Sequence, residues 1–377
     1  MRPIALLCLC LVLAGCREIV TTTPSPPSAG MTLTATPSLS GMTPTTPAQA
    51  NRSRTTTPTP AEDFDPAGEP SPVAGQQRWH YSYPIGAPGR PLGDGFFIRH
   101  GYAVENTWFA PGNWHTGEDW YSLEADTAGS LVYAAGDGEV VFVGADYPGR
   151  VVIVKHGHES FSMYGHLDPN LEVHEGQQLA RGDMIGRVFN RRDSVPSHLH
   201  FEIRTFLTKD IVNGDSPRYS YNCSVRCPPG PGYWPIGAPN HPGAIGWHNP
   251  THFINRHLAE SEAGSEVVVA TQPASSTVTL WNRPPGENER QRALGQLALA
   301  PGQRYQLLDI STGPPDSAAT SALGYQLWYH IALPDGREAW AEAIVPSPEE
   351  TGSDGRPASL RFNFFPAIPT PNPAEGL

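Results

Sequence analysis

Histidines and acidic residues with the spacing of metal sites occur in three segments of this 377-residue chain. His115 and Asp119 are four residues apart, and His166 lies in a Tyr-Gly-His-Leu segment. His198 and His200 would project from the same face of a strand, because strand side chains alternate with a period of two. One of them can then bind a metal ion while the other acts beside it. Two histidines with one carboxylate leave a tetrahedral Zn²⁺ with an open fourth position, as catalytic zinc sites require.

Taken in this order, the three segments resemble the lysostaphin/LytM-type murein endopeptidases, which are zinc metallopeptidases of bacterial cell walls. That family has His-x-x-x-Asp, then a strand similar to Tyr-x-His-Leu, then His-Leu-His-Phe-Glu. All five polar positions are present here, and the resemblance covers about residues 84–205. It implies that this chain hydrolyses peptide bonds in peptidoglycan by means of a metal-activated water.

The resemblance also implies a role for each of the five residues. It makes His115, Asp119 and His200 the Zn²⁺ ligands, and it makes His166 and His198 the catalytic pair. Zn²⁺ lowers the pKa of bound water to about 7. A neutral imidazole can accept the proton of that water, and an imidazolium can stabilise the oxyanion or protonate the leaving amine. Which histidine does which stays open.

Two glutamates lie beside these residues, and their roles stay open. Glu118 precedes Asp119, and Glu202 continues the strand face of His198 and His200. Each is either a general base or a residue that contacts the surface or the metal ligands.

Two segments depart from the family pattern. The family has a Gly/Ser/Thr-rich stretch before His-Leu-His, whereas residues 190–197 read Asn-Arg-Arg-Asp-Ser-Val-Pro-Ser. An insertion of roughly 40 residues follows between Phe206 and Trp247. The first departure leaves cleavage specificity open, and the second leaves open whether the insertion covers the cleft.

Short apolar runs that alternate with Gly and Pro turns must position these side chains. The runs lie at 130–135, 139–144, 150–156, 161–167, 184–189 and 198–206. They predict an all-β chain in which residues 76–262 form a metallopeptidase domain built on an antiparallel β-sheet.

A second group of β-type runs predicts a smaller domain over 264–348. Its candidate strands are 267–270, 278–281, 305–308, 325–331 and 338–342. This segment resembles bacterial SH3-like domains, which are small β-barrels. Its tryptophans either line a groove that binds cell wall or belong to the barrel core. Residues 349–377 are rich in Pro, Ser and Gly and are expected to form a loose tail.

The composition excludes two classes of protein. The chain has 41 Pro and 38 Gly, and only 16% of its residues are charged. A helical bundle or coiled coil would need more charge and far less Pro. The formal net charge of −12 also argues against a nucleic-acid partner, because nucleic-acid binders carry a basic surface.

The first residues read as an export signal. Arg2 precedes an apolar run at 4–13 that is too short to span a bilayer, which is typical of a signal peptide over 1–15. The sequence Leu-Ala-Gly-Cys that ends at Cys16 resembles the lipobox of bacterial lipoproteins and implies a lipid on that cysteine. Residues 16–75 then form a Thr/Pro-rich linker. We therefore expect an extracytoplasmic protein held to a bacterial membrane by its lipid alone.

Two further cysteines, Cys223 and Cys227, lie close together in the insertion. Outside the cytoplasm such a pair is expected to form a disulfide. A zinc site is the alternative, but its usual spacing has two intervening residues and a second pair.

The sequence thus predicts a zinc metalloendopeptidase whose partner is peptidoglycan. The alternative is a catalytically silent lipoprotein of the same fold that binds cell wall or activates another hydrolase. Degenerate proteins of that kind lack metal or catalytic residues, and here the set is complete.

Overall fold

The computed structural model describes residues 80–147, 149–207, 232–258, 265–286, 290–312, 325–352 and 357–371. Within these ranges the chain forms four antiparallel sheets and two short helices. The expected all-β class is therefore confirmed. Cys16, Cys223 and Cys227 lie outside the described residues, so the predicted lipidation and disulfide stay predictions.

The first thirteen strands carry the predicted site. They are β1 (Ile85–Gly86), β2 (Phe96–His100), β3 (Asn113–His115), β4 (Glu118–Ser122), β5 (Leu131–Tyr133), β6 (Gly138–Tyr147), β7 (Gly149–Lys155), β8 (Phe161–Leu167), β9 (Gln178–Leu179), β10 (Met184–Arg187), β11 (Leu199–Arg204), β12 (Tyr233–Pro235) and β13 (Trp247–His248). Helix α1 covers Pro242–Ile245 and helix α2 covers Pro250–Leu258. A short 3₁₀ turn covers Gly157–Glu159.

The remaining nine strands come from the C-terminal part of the chain. They are β14 (Glu266–Val269), β15 (Thr277–Trp281), β16 (Ala293–Ala298), β17 (Arg304–Thr312), β18 (Leu327–Ala332), β19 (Glu338–Glu342), β20 (Ile344–Thr351), β21 (Pro357–Phe362) and β22 (Phe364–Pro366). A seven-stranded sheet has the order β16-β15-β19-β18-β17-β14-β22.

A ten-stranded sheet positions the site. Its order is β20-β21-β2-β4-β11-β8-β7-β6-β9, with β13 also paired to β11. The run Val151–Val154 shows why this sheet is buried on both faces. Val152 and Val154 pack into the main core, whereas Val151 and Ile153 pack with Met163 on the opposite face. Alternating β-branched side chains thereby bury both faces of β7.

The expected loose tail is wrong for residues 357–366, which form strands β21 and β22. Strand β21 pairs with β2 of the large sheet, and β22 pairs with β14 of the seven-stranded sheet. The physical reason is an alternating apolar pattern, in which Ala358, Leu360 and Phe362 are buried. Burial of this pattern outweighs the Pro, Ser and Gly content of the segment.

Residues of both expected domains share one hydrophobic core. Trp120 of β4 stacks on Phe362 of β21, with 5.6 Å between ring centroids. Asn255 of α2 donates a hydrogen bond to Tyr83 and accepts one from Tyr329 of β18. Asn255 thus connects the segment before β1 to the seven-stranded sheet. The division at 262–264 and the SH3-like assignment stay predictions. Among the described residues, no helix is long and apolar enough to cross a membrane.

His156 makes the fold sensitive to acid. Its buried ring lies between the carbonyl oxygen of Asp137 and the hydroxyl of Ser162, at 2.7 Å from each. Burial lowers the pKa of His156 to about 4. The stability gained by keeping this ring neutral is fully present above pH 6.5 and is lost as the pH falls through 4. The loss amounts to about 3 kcal/mol.

We expect the free energy of unfolding of His156→Gln to fall less steeply than that of the wild type between pH 6.5 and 4, because glutamine does not titrate. Chemical denaturation across this pH range measures the slope. His174→Gln, at an exposed position, is the matched control and should leave the slope unchanged. Equal slopes for His156→Gln and the wild type would contradict the assignment.

Candidate metal centre and active site

Three predicted ligands converge on one buried point. His115 ends β3, Asp119 lies in β4, and His200 lies in β11 directly opposite Asp119 in the antiparallel register. His115 Nε2 lies 3.1 Å from His200 Nδ1 and 3.3 Å from Asp119 Oδ1. His200 Nδ1 lies 3.0 Å from the same carboxylate oxygen.

The donor set and its dimensions fit a tetrahedral metal ion. Protein nitrogen and oxygen ligands lie about 2.0–2.1 Å from Zn²⁺, so two ligands of a tetrahedral site are about 3.3 Å apart. The three measured separations of 3.0–3.3 Å match this edge length. Two imidazoles and one carboxylate therefore form one face of a tetrahedron, and the fourth corner is left for water or substrate.

Asp119 and the neighbouring histidines shift each other's pKa values. Burial alone would raise the pKa of Asp119, but the charges of His115 and His198 and hydrogen bonds from His115 and His200 hold it well below its usual range. Burial alone would lower the pKa of His200, but hydrogen bonds to Asp119 and Glu202 raise it to about 9. Asp119 therefore stays ionised, as a metal ligand must be, whereas His200 has to release a proton before its nitrogen can bind a metal ion.

Glu202 holds His200 in place from behind. Its Oε1 lies 3.0 Å from His200 Nε2 and accepts a 2.8 Å hydrogen bond from the hydroxyl of Thr116. Its Oε2 accepts a hydrogen bond from the indole of Trp247 at 2.9 Å, and Arg204 lies 3.4 Å away. A carboxylate on the far nitrogen fixes the orientation of a ligating histidine and increases its basicity. Of the two roles left open for Glu202, the geometry supports contact with a metal ligand.

Glu118 has a different role, although it also neighbours a ligand. Its buried carboxylate accepts hydrogen bonds from Tyr325, from the backbone N–H of Thr251 and from the indole of Trp120. Burial raises the pKa of Glu118 to about 7. These partners place its side chain on the core side of the sheet, so it links β4 to α2 and to Tyr325.

The two predicted catalytic histidines face each other beside the ligands. His166 lies in β8 and His198 directly precedes β11, with 4.6 Å between their ring centroids. His198 Nε2 is 3.7 Å from Asp119 Oδ1. His166 has a positive φ of 61°. It lies where the β7–β8 register shifts, and such a bulge redirects a side chain at the cost of backbone strain.

Tyr121 supports His198 in a way that the motifs do not reveal. The two rings stack at 5.0 Å, and the Tyr121 hydroxyl lies 3.1 Å from His198 Nδ1. The same nitrogen lies 2.9 Å from the carbonyl oxygen of Pro196. Because a carbonyl oxygen only accepts hydrogen bonds, Nδ1 carries the proton. Neutral His198 therefore presents an unprotonated Nε2 on the side of the metal ligands.

His100 is a further site residue that the motifs do not indicate. It lies at the end of β2, opposite Asp119 in register, with its ring edge-on to His115 at 5.2 Å. Its buried Nε2 has no hydrogen-bond partner among the described residues. Burial and the neighbouring charge of His115 lower the pKa of His100 to about 3. No spacing rule connects it to the three segments, because strand pairing alone brings it here.

A cavity of about 380 Å³ opens beside the site, and four of the five residues line it, namely Asp119, His166, His198 and His200. Its rim includes Arg99, Trp108, Arg191, Tyr233 and Glu350. The loop at 190–197, which departs from the family pattern, supplies one wall of the cavity. The structure describes only the two ends of the 206–247 insertion. In the second of these ends, Tyr233 lines the cavity.

Comparison with known proteins agrees with this geometry. Residues 114–214 match the family model described as peptidase family M23, and this range contains all five residues. The chain contains a peptidase family M23 domain. Arg99, His100 and Glu350 lie outside the range that defines the M23 domain.

Two curated relatives each match a part of the chain. The peptidoglycan DD-endopeptidase ShyA of Vibrio cholerae is 37% identical over 90 residues, which is 24% of this chain and 20% of ShyA. The uncharacterized lipoprotein YgeR of Escherichia coli is 36% identical over 78 residues, which is 20% of this chain and 30% of YgeR. The chain thus spans less than a third of the length of either relative.

Two solved structures also align with the chain. Lysostaphin from Staphylococcus simulans aligns with 76% of this chain and 99% of its own, at 13% identity and a TM-score of 0.30. A zinc-containing peptidase from Vibrio cholerae aligns with 34% of this chain and 36% of its own, at 28% identity and a TM-score of 0.25.

We predict that Glu202→Gln weakens zinc affinity by about 10- to 100-fold, because a neutral amide is a poorer partner for His200 Nε2. Competition against a chelating dye measures the affinity. Glu118→Gln is the matched control, since it changes a buried glutamate that does not contact a ligand, and it should leave the affinity unchanged. Equal zinc affinities for Glu202→Gln and the wild type would overturn the role given to Glu202.

Gly117 allows β4 to approach β11. A Cβ at this position would lie 2.4 Å from the carbonyl oxygen of Phe201 and 2.9 Å from Cγ of Glu202. We predict that Gly117→Ala costs about 1–3 kcal/mol of stability and weakens metal binding, because the two strands must separate. Thermal unfolding with and without zinc tests this. Gly237→Ala, where a Cβ meets nothing within 4 Å, should match the wild type. A Gly117→Ala variant with wild-type stability and zinc binding would refute the packing argument.

Proposed function

We propose that this chain is a zinc metalloendopeptidase that hydrolyses peptide bonds in the cross-links or stem peptides of peptidoglycan. The observation that carries the proposal is the convergence of two imidazoles and a carboxylate beside two further histidines at a cavity. The name of ShyA, a peptidoglycan DD-endopeptidase, supports the choice of substrate.

The ligands assigned to Zn²⁺ are His115, Asp119 and His200. When bound, zinc supplies Lewis acidity, which polarises a substrate carbonyl and lowers the pKa of a coordinated water to about 7. Glu202 holds the His200 ring in the required orientation through its far nitrogen. Near-complete burial of the three ligands strengthens each of these interactions, because the local dielectric constant is low.

The two catalytic histidines divide the proton transfers. The hydrogen bond from His198 Nδ1 to the Pro196 carbonyl leaves Nε2 free to accept a proton from the attacking water. Tyr121 stacks on this ring and keeps it in place. His166, across from His198, is assigned to stabilise the oxyanion and protonate the leaving amine. The sequence left this division open, and the tautomer of His198 now favours it.

The proposal extends to the setting of the enzyme. Residues 1–15 act as signal peptide, Cys16 carries the lipid, and 16–75 form the linker that holds the enzyme away from its membrane. The name of YgeR, a lipoprotein, supports this placement outside the cytoplasm. Cys223 and Cys227 are assigned to a disulfide, and 264–348 to an SH3-like domain.

Two substitutions separate the metal ligands from the catalytic pair. His198→Ala should keep one zinc ion and lose activity by about 10²- to 10⁴-fold, because it removes the proton acceptor and leaves the ligands intact. His115→Ala should lose the zinc ion and the activity together. Metal content of the purified protein and release of soluble peptides from cell-wall sacculi measure the two effects.

The control for both is His174→Ala, at an exposed position away from the cavity. Loss of zinc by His198→Ala would make the ligand assignment wrong. If the zinc-loaded wild type released no peptide from several sacculus chemistries, hydrolysis would be refuted and the wall-binding alternative favoured.

A further inference from the structure

Two adjacent aromatic side chains, Trp108 and Phe109, lie exposed at the mouth of the cavity. Trp108 is 64% exposed and Phe109 is 42% exposed, and both line the cavity beside the metal ligands. Trp108 is the most exposed large hydrophobic side chain among the described residues. Tryptophan is highly buried on average, so an indole held in water beside a cavity indicates a binding surface.

Hydrogen bonds within the loop fix the position of these two rings. Asn106 is buried, and its side-chain oxygen accepts from the backbone N–H of Phe109 at 2.8 Å. The carboxylate of Glu105 accepts from the backbone N–H of Gly112 at 2.6 Å. The loop thus presents Trp108 to the solvent in a defined orientation. A preorganised surface of this kind loses little conformational entropy when a ligand binds.

Tyr233 continues the aromatic row from these two rings to the metal centre. Its ring centre is 6.2 Å from that of Phe109 and 5.3 Å from that of His115, one of the predicted metal ligands. We call Trp108, Phe109 and Tyr233 the aromatic shelf. All three residues lie outside the range that matches the M23 family model, so the shelf is an addition to that domain.

The shape of the shelf favours a flat ligand with one apolar face. The rings of Trp108 and Phe109 are tilted by 32° with 6.2 Å between their centres, so they form an open surface. An apolar side chain on this surface would leave most of its own area in water, and the hydrophobic gain is proportional to the area removed from water. A sugar ring suits it better, because one face presents C–H groups to the π-systems while the hydroxyl groups stay hydrated.

The charge of the loop also favours a sugar. Residues 106–114 contain no charged side chain, and the polar residues beside the two exposed rings are Asn106 and Thr107. An ammonium group over the indole would need a nearby carboxylate for strong binding, and the Glu105 carboxylate is already bound to a backbone N–H. A neutral ligand is therefore a better partner than a charged one.

The length of the row fits a peptide that is attached to a sugar. From His115 through Tyr233 and Phe109 to Trp108, the ring centres are separated by steps of 5.3, 6.2 and 6.2 Å. An extended chain spans about 3.3–3.6 Å per residue, so a stem peptide of about five residues covers the row. In peptidoglycan, each stem peptide is attached to a sugar of the glycan strand. A peptide bound at the metal centre can therefore keep its sugar on the shelf.

We propose that the aromatic shelf binds a sugar ring of the glycan strand while the attached stem peptide occupies the metal centre. The inference rests on the proposed function and deepens it. The shelf thereby makes the enzyme prefer stem peptides that are still attached to glycan over free peptides.

Two cross-linked peptides test the shelf with the zinc-loaded full chain. Their peptide part is identical, and only one keeps the disaccharide of N-acetylglucosamine and N-acetylmuramic acid on its stem. For the wild type, the disaccharide should raise kcat/KM about tenfold, mainly through a lower KM. Trp108→Ala should reduce this ratio of kcat/KM values to about one, because the main stacking surface is lost. Trp108→Phe should retain part of the ratio, since a smaller π-face remains.

Leu308→Ala is the matched control, because Leu308 is another exposed large hydrophobic residue and does not line the cavity. It should keep the wild-type ratio. Equal kcat/KM values of the wild type on the two substrates would overturn the sugar subsite. An equal loss on both substrates for Trp108→Ala would assign the shelf to the peptide and overturn it too. A wild-type dimer that Trp108→Ala dissociates, measured by sedimentation, would assign the shelf to a second copy of the chain, with the same consequence.

Failure of the proposed function has a different signature. The zinc-loaded wild type would then cleave neither substrate. Isothermal titration calorimetry with the two uncleaved substrates would still decide the shelf. Tighter binding of the form with the disaccharide, lost in Trp108→Ala, would support the sugar subsite, whereas equal binding or no binding would overturn it.

Discussion

The antiparallel pairing of β4 with β11 is the constraint on which the rest of the site depends. It places His200 directly across from Asp119, and it brings the end of β3 with His115 to the same point. A slip of one residue would turn His200 to the other face of the sheet, because side chains alternate along a strand. Gly117 leaves room for this pairing, because a Cβ there would lie 2.4 Å from the carbonyl oxygen of Phe201. This register therefore brings the three predicted metal ligands to one point.

Each of these two strands has a buried glutamate, and the two glutamates have different roles. Glu202 points toward the metal ligands and is held by Thr116 and Trp247, so its charge acts on His200. Glu118 points into the core and meets Tyr325 and Thr251, so it joins parts of the fold that are distant in sequence. Each carboxylate is surrounded by donors, which is the condition for burying a charged or polar group at low cost.

The five polar residues of the site could be predicted from the sequence, because their three segments, in this order, resemble the motifs of the lysostaphin/LytM-type murein endopeptidases; strand periodicity alone related only His198 to His200. Several strands could also be predicted, since β8 at Phe161–Leu167 and β19 at Glu338–Glu342 have the expected bounds. The pairing of β21 with β2 could not, because it joins residues more than 200 positions apart and no local pattern encodes it. For the same reason His100 and Glu350 escaped prediction. The contrast between Glu118 and Glu202 depends on packing partners, which neighbouring sequence does not specify.

The chain crosses between its two large sheets at Asn363, which separates β21 from β22. Asn363 is buried, donates to the carbonyl of Glu342 and accepts from the backbone N–H of Ser275. With its backbone N–H and carbonyl also bonded to Ala343 and Ala270, every polar group of Asn363 has a partner. The crossing is therefore a fixed joint, because a rotation of one sheet against the other would break these buried hydrogen bonds.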